Sequence, residues 1–130
     1  MNNKDLDDLN NGRIETSKQK IAEVIRFIGN QCVILKENHL PIDGVKMFSK
    51  AICMLETANK DILYACSHFG WNDDVCDLVD DAIGKFGMVV AELMATDSKI
   101  ADDSIIGYNA MDGIVALGKT LATLAIWFDE

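Results

Sequence analysis

The chain has 130 residues, of which 49% are hydrophobic and 25% charged, with one proline and a net charge of −9 at pH 7. This length suits one domain with a single core, and the ordinary hydrophobic content excludes an intrinsically disordered chain. The negative charge argues against a protein that neutralises nucleic-acid phosphates or that binds an anionic membrane surface.

The spacing of apolar residues predicts an all-helical chain. Apolar residues recur with a period near 3.6, and turn signals separate four segments. The predicted helices cover about residues 16–37, 43–68, 72–96 and 102–128. Residues 1–13, which include an Asn-Asn-Gly sequence, are expected to form a short, mobile N-terminal tail.

Local signals set the predicted helix ends. Thr16 and Gln19 have the spacing of a capping box, which predicts a helix start at Thr16. Pro41 disfavours helical geometry in the residue before it. Asp43 is expected to cap the second helix, Gly70 to end it, and Asn72 to cap the third.

The link between the second and third helices is so short that these helices must run antiparallel. Four helices, each with an apolar stripe, favour an all-α domain over residues 14–130: an antiparallel up-down four-helix bundle.

The fourth helix is apolar over an arc of roughly 220° in helical projection. Its predicted polar strip is narrow and consists of Asn109, Asp112, Lys119, Thr120 and Thr123. A helix of this kind is either enclosed by its own fold or covered by another chain. We therefore predict a homodimer, and the alternative is an irregular bundle that encloses the fourth helix on two sides. The residues predicted to mediate self-association are Phe27, Ile34, Met111, Val115, Gly118 and Ala122.

The net charge comes from one part of the sequence. Residues 72–130 contain three basic and twelve acidic side chains, whereas residues 1–71 are balanced. An acidic surface steers a protein toward basic partner surfaces, and a merely solvated face is the alternative. The predicted partner-binding residues on the third helix are Asp73, Asp74, Asp77, Asp80, Asp81, Gly84 and Gly87.

Residues that could perform catalysis or hold a metal are sparse. Cys66, His68 and Cys76 surround the predicted turn after the second helix and could in principle hold zinc. Helical projection, however, directs Cys66 to the core and His68 to the polar side. We predict no catalytic residue, no metal site and no cofactor.

The compartment follows from the cysteines and the hydropathy. Four cysteines without paired spacing, in a sequence that lacks a hydrophobic leader, are expected to be reduced thiols of a cytoplasmic protein. No apolar run reaches the ~18–20 residues that a membrane span needs.

Together these features predict a non-enzymatic protein–protein interaction module, a small acidic regulator or inhibitor that binds a basic protein surface and not nucleic acid itself. Two alternatives remain open. One is an acidic nucleic-acid mimic that antagonises a nucleic-acid-binding complex, as anti-defence proteins of mobile elements do. The other is a metal- or thiol-dependent enzyme or carrier with a site in the bundle core.

Overall fold

The computed structural model describes most of the chain. The backbone is described for residues 2–38, 41–95 and 103–128, and the side chains for residues 2–30, 44–94 and 107–126.

Four helices form this part of the protein: α1 (Asn3–Asn38), α2 (Pro41–Phe69), α3 (Asp74–Ala95) and α4 (Asp103–Phe128). Each helix packs against the next along the chain, and α1 closes the ring against α4 through the least extensive of the four contacts. The predicted all-α, antiparallel up-down bundle is confirmed. The predicted bounds of α2, α3 and α4 lie within two residues of the observed ones.

The core is a seam of buried residues that are alternately three and four positions apart on every helix. This spacing is typical of coiled-coil-like bundles, in which each helix turns one narrow stripe toward its neighbours. For α3, helical projection of the sequence predicts a core stripe of Val75, Val79, Ala82, Phe86, Val89 and Leu93, and all six residues are buried. For α2, projection of the sequence predicts a stripe of Phe48, Ala51, Leu55, Ala58, Ile62, Ala65 and Phe69. The first six are fully buried, as is Cys66 beside them, whereas Phe69 is only partly buried.

For α4, helical projection of the sequence predicts a core stripe of Ile106, Ala110, Ile114, Leu117, Leu121, Ala125 and Phe128, of which the side chains of Ile106 and Phe128 lie outside those described. The observed seam differs from this stripe. Thr120, expected on the polar strip, is fully buried, and its hydroxyl donates to the Ala116 carbonyl at 2.9 Å. Leu117 and Leu124 lie beside it in the core, while Ile114 is only partly buried. Because a threonine hydroxyl can bond within its own helix, Thr120 enters the core without an unsatisfied donor.

The N-terminal prediction is wrong for residues 3–13, which are helical and belong to α1. Asn2 caps the helix, since its Oδ1 accepts a hydrogen bond from the Asp5 amide at 2.8 Å. Thr16 therefore lies inside α1 and does not cap it, and its hydroxyl donates to the Gly12 carbonyl. Asp43 likewise lies inside α2, which begins at Pro41.

Polar contacts hold the first turns of α1 in place. Asn10 is buried, with its side-chain amide donating to the Leu6 carbonyl at 2.8 Å and its Oδ1 accepting from Arg13 at 2.8 Å. Asp7 Oδ1 lies 2.7 Å from His68 Nε2 at the end of α2. Asn10, part of the sequence that suggested a turn, thus forms its side-chain hydrogen bonds inside a helix.

The turn between α2 and α3 follows the predicted signals. Gly70 has a φ of 72°, which favours glycine, and the Trp71 amide donates to the Cys66 carbonyl at 2.9 Å. The Asp74 amide donates to Asn72 Oδ1 at 3.0 Å. The terminating glycine and the asparagine cap are both confirmed.

The largest buried side chains meet at the middle of the bundle. The ring of Phe86 contacts Phe48 edge-on, with ring centroids 5.6 Å apart. On its other side the ring lies against the backbone of α4 at Gly113, where an added Cβ would come within 2.9 Å of Phe86 Cζ and closer still to Cε1. Gly113 is therefore required by the packing of Phe86.

Gly113→Ala should lower the free energy of unfolding by about 1–3 kcal/mol, because the new methyl group would overpack the ring of Phe86. Gly12→Ala is the matched control, since Gly12 lies in α1 with open space around it. We expect the control to raise stability by about 0.5–1 kcal/mol through helix propensity. Urea denaturation measures both, and a neutral Gly113→Ala would contradict the observed packing.

Candidate functional site

The aspartates predicted to bind a partner lie together on the surface. Asp73, Asp74, Asp77, Asp80 and Asp81 are all exposed, in the turn before α3 or in its first turns. None of the five forms an ion pair with a described residue. We call these five aspartates, together with the exposed or half-exposed Gly84 and Gly87, the α3 face.

An asparagine of α2 borders the α3 face. Asn59 donates from Nδ2 to Asp80 Oδ1 at 2.9 Å and to the Cys76 carbonyl at 3.4 Å. Its own Oδ1 is buried and accepts no hydrogen bond within the described part of the chain. Asn59 thus fixes one carboxylate of the α3 face from the side.

The second half of α3 exposes small and apolar residues where the first half exposes charge. Gly84 and Gly87 have open space where a Cβ would lie. Met88 and Met94, one and two helical turns further on, are 53% and 71% exposed. Sequence analysis missed both methionines, because single exposed apolar side chains look like part of an ordinary helix surface.

The residues predicted for self-association separate into two groups. Met111, Val115, Gly118 and Ala122 lie together on the outer surface of α4, all exposed. Phe27 is instead partly buried on the side of α1 that faces α2, where Lys50 Nζ lies 5.9 Å from its ring centroid.

Ile34 lies outside the residues whose side chains are described. The structure adds Tyr108 and Ile126, which are 74% and 62% exposed, together with Gly107 and Ala125, to the outer surface of α4. We call the outward residues of this helix the α4 face: Gly107, Tyr108, Met111, Val115, Gly118, Ala122, Ala125 and Ile126.

The residues considered for zinc are divided between two helix interfaces. Cys66 and Cys76 are buried where α2 meets α3, and the Cys76 thiol donates to the Asn59 carbonyl at 3.9 Å. His68 turns toward α1, where it pairs with Asp7. Among the described residues, no group of three His, Cys, Asp or Glu side chains is placed to hold a metal ion.

The two buried thiols hold their protons tightly. The pKa of Cys76 is raised from 9.0 to about 12, mainly by burial and to a lesser extent by the neighbouring Cys66, Asp73, Asp80 and Asp77. Burial, followed by the charge of Asp73, also raises the pKa of Cys66. Such thiols are poor nucleophiles, because only the thiolate attacks.

Comparison with known proteins adds no family. No protein-family model matches the chain, and neither the curated proteins nor the solved structures give a match. Over the residues described, none of the four helices combines the length and hydrophobicity needed to cross a membrane.

Cys76 should resist alkylation by iodoacetamide in the native protein. A pKa near 12 leaves on the order of 1,000-fold less thiolate at neutral pH than an ordinary thiol has. The exposed Cys53 should react rapidly, and in urea the two should react at similar rates. Mass spectrometry of the labelled peptides measures each rate, and equal native rates would contradict the burial of Cys76.

The same thiols should make the fold sensitive to alkali. Because the folded-state pKa of Cys76 lies above its unfolded value, its contribution to stability is complete below pH 9.0 and is lost as the pH rises toward 12. Cys76→Ala should flatten the decline in unfolding free energy over this range, as followed by urea denaturation at several pH values.

Proposed function

We propose that this protein is a non-enzymatic interaction module that binds a basic surface of another protein through its α3 face. One observation carries the proposal. Five exposed aspartates lie within nine residues, and no ion pair with a described residue offsets their charge.

The charge of the α3 face favours a basic partner for two physical reasons. Uncompensated carboxylates attract a cationic surface over distances near the Debye length and so raise the association rate. They also lose no internal ion pair when lysine or arginine side chains of a partner approach. Among the described hydrogen bonds, only Asp74 and Asp80 of the five have a side-chain amide beside them, from Asn72 and Asn59 respectively.

The second half of α3 is suited to contact the apolar residues of such a partner. Gly84 and Gly87 leave room for a backbone to approach, and Met88 and Met94 offer flexible apolar contacts. From Asp77 to Met94 the helix spans about 25 Å, at 1.5 Å per residue. A basic amphipathic helix could place its cations on the aspartates and its apolar residues on the methionines.

Occupying a basic surface blocks its other uses, so this mode of binding supports a role as a small regulator or inhibitor. A reducing compartment such as the cytoplasm fits the proposal, because Cys53, Cys66 and Cys76 are free thiols.

A synthetic amphipathic peptide with lysine on one face and leucine on the other provides a direct probe. Wild-type protein should bind the fluorescein-labelled peptide, and the affinity should fall as NaCl is raised, because salt screens charge. The variant D77K/D80K/D81K should bind about tenfold more weakly or worse, since three attractions become repulsions. Fluorescence anisotropy measures the dissociation constants.

The variant D8K/E15K/E23K is the matched control. It makes the same change in net charge, but on exposed positions of α1. Its affinity for the peptide should stay within about twofold of wild type at moderate salt. Equal losses in both variants would show attraction by net charge alone, and a wild-type protein that does not bind the peptide would also contradict the proposal.

A further inference from the structure

The α4 face is an exposed apolar surface that the proposed partner-binding function does not use. Tyr108, Met111 and Val115 are 74%, 59% and 48% exposed, respectively, although they lie near one another on one helix. Contiguous apolar side chains on a surface are commonly covered by another protein. The order of large and small side chains along the helix indicates which kind of protein covers them.

Large and small side chains lie at complementary positions along the α4 face. Gly107, Tyr108, Met111 and Val115 come first, and Gly118, Ala122, Ala125 and Ile126 follow. If a second α4 packs against the first in the antiparallel direction, each large side chain lies opposite a small one. The resulting pairs, each formed twice, are Gly107 with Ile126, Tyr108 with Ala125, Met111 with Ala122, and Val115 with Gly118.

The charges beside the α4 face obey the same symmetry. Asp112 and Lys119 are exposed, lie seven residues apart along one flank, and form no ion pair with the side chains described, those of residues 2–30, 44–94 and 107–126. Antiparallel packing brings Asp112 of one copy near Lys119 of the other, and does so twice. The offset from the apolar pairing is about 3 Å along the axis, which a flexible lysine stem can span. Parallel packing would instead place Asp112 opposite Asp112 and Lys119 opposite Lys119, so that like charges repel.

We propose that the α4 face is the interface of a symmetric homodimer, in which a second copy of this chain packs antiparallel across α4. The two-fold axis passes between Val115 and Gly118. The same patch serves both copies, as a two-fold interface requires. Gly118, which has open space where a Cβ would lie, lets the two helices approach closely at the axis.

The size of the α4 face sets the expected strength. It is about 28 Å long and one helix wide, and a stable interface of standard size takes about 800 Å² from each partner. A contact of this extent gives a dimer that dissociates on dilution, with a dissociation constant on the order of micromolar.

Analytical ultracentrifugation over a range of concentrations tests the interface. The wild-type mass should rise from 14.3 kDa toward twice that value. Val115→Glu should weaken dimerisation at least about tenfold, because it places two carboxylates at the axis. Met94→Glu, which adds the same charge at an exposed apolar residue of α3, should dimerise like wild type.

Exchange of the two charges tests the antiparallel direction. Asp112→Lys and Lys119→Asp should each weaken dimerisation about threefold or more, because each creates two like-charge contacts. The double variant D112K/K119D should return to within about twofold of wild type, since it restores both opposite-charge contacts. Circular dichroism checks that every variant keeps its helical content.

Three results would overturn the proposal: a mass of 14.3 kDa at every concentration, a dimer insensitive to Val115→Glu, or a double charge variant no better than the single ones. Binding of the cationic peptide to Val115→Glu should be unchanged per chain. Failure of the dimer is therefore distinguishable from failure of the α3 face as a binding surface.

Discussion

A helix in this bundle can bury only one narrow seam of residues, alternately three and four positions apart, and this limit determines what stays on the surface. On α3 the seam contains the residues predicted for its core, and the outer surface is charged at one end. On α4 the apolar residues exceed the seam. Met111 and Val115 lie outside it, and the described part of the chain leaves them open to solvent. An apolar face remains on α4 because the helix has more apolar residues than one seam can bury. The side chains of this face determine which surface of another protein can pack against it.

Small and hydroxyl-bearing residues within the seam allow the helices to come close. Ser17 is fully buried and donates to the Ala58 carbonyl of the next helix at 3.1 Å. Thr120 is equally buried and bonds within its own helix. Gly113 accepts the ring of Phe86. The hydroxyl donors of Ser17 and Thr120 are therefore satisfied inside the core, and the missing side chain of Gly113 leaves room for the ring.

The pattern of apolar residues predicted the fold class, the α2–α3 turn and the buried residues of α2 and α3, because each of these depends on short-range periodicity or on a turn residue. The start of α1 was missed, since Asn10 is satisfied by Leu6 and Arg13, a contact that propensity does not encode.

The seam of α4 was misplaced by roughly 50° in projection, because a helix that is apolar around most of its circumference gives projection little to orient it. In the structure Gly113 of α4 faces the ring of Phe86, a contact between helices that the projection of one helix does not contain. The exposed aspartates were found because charge is visible in sequence, whereas the exposure of Met88 and Met94 depends on which neighbours the fold provides.

The proposed α3 and α4 interfaces, taken together, have a consequence that neither has alone. They occupy adjacent helices but do not share a residue, so one copy of the chain can use both at once. A dimer formed across α4 displays two α3 faces related by a two-fold axis. When one α3 face binds a basic site on a partner, the other α3 face of the dimer is held close to any second basic site on that partner. Its local concentration there is raised, so the dimer binds more tightly than the monomer without any new contact. Because the dimer is expected to dissociate on dilution, this gain depends on the concentration of the protein. A surface too weak to hold a partner as a monomer becomes effective once enough protein is present to pair, which links the amount of protein to its action.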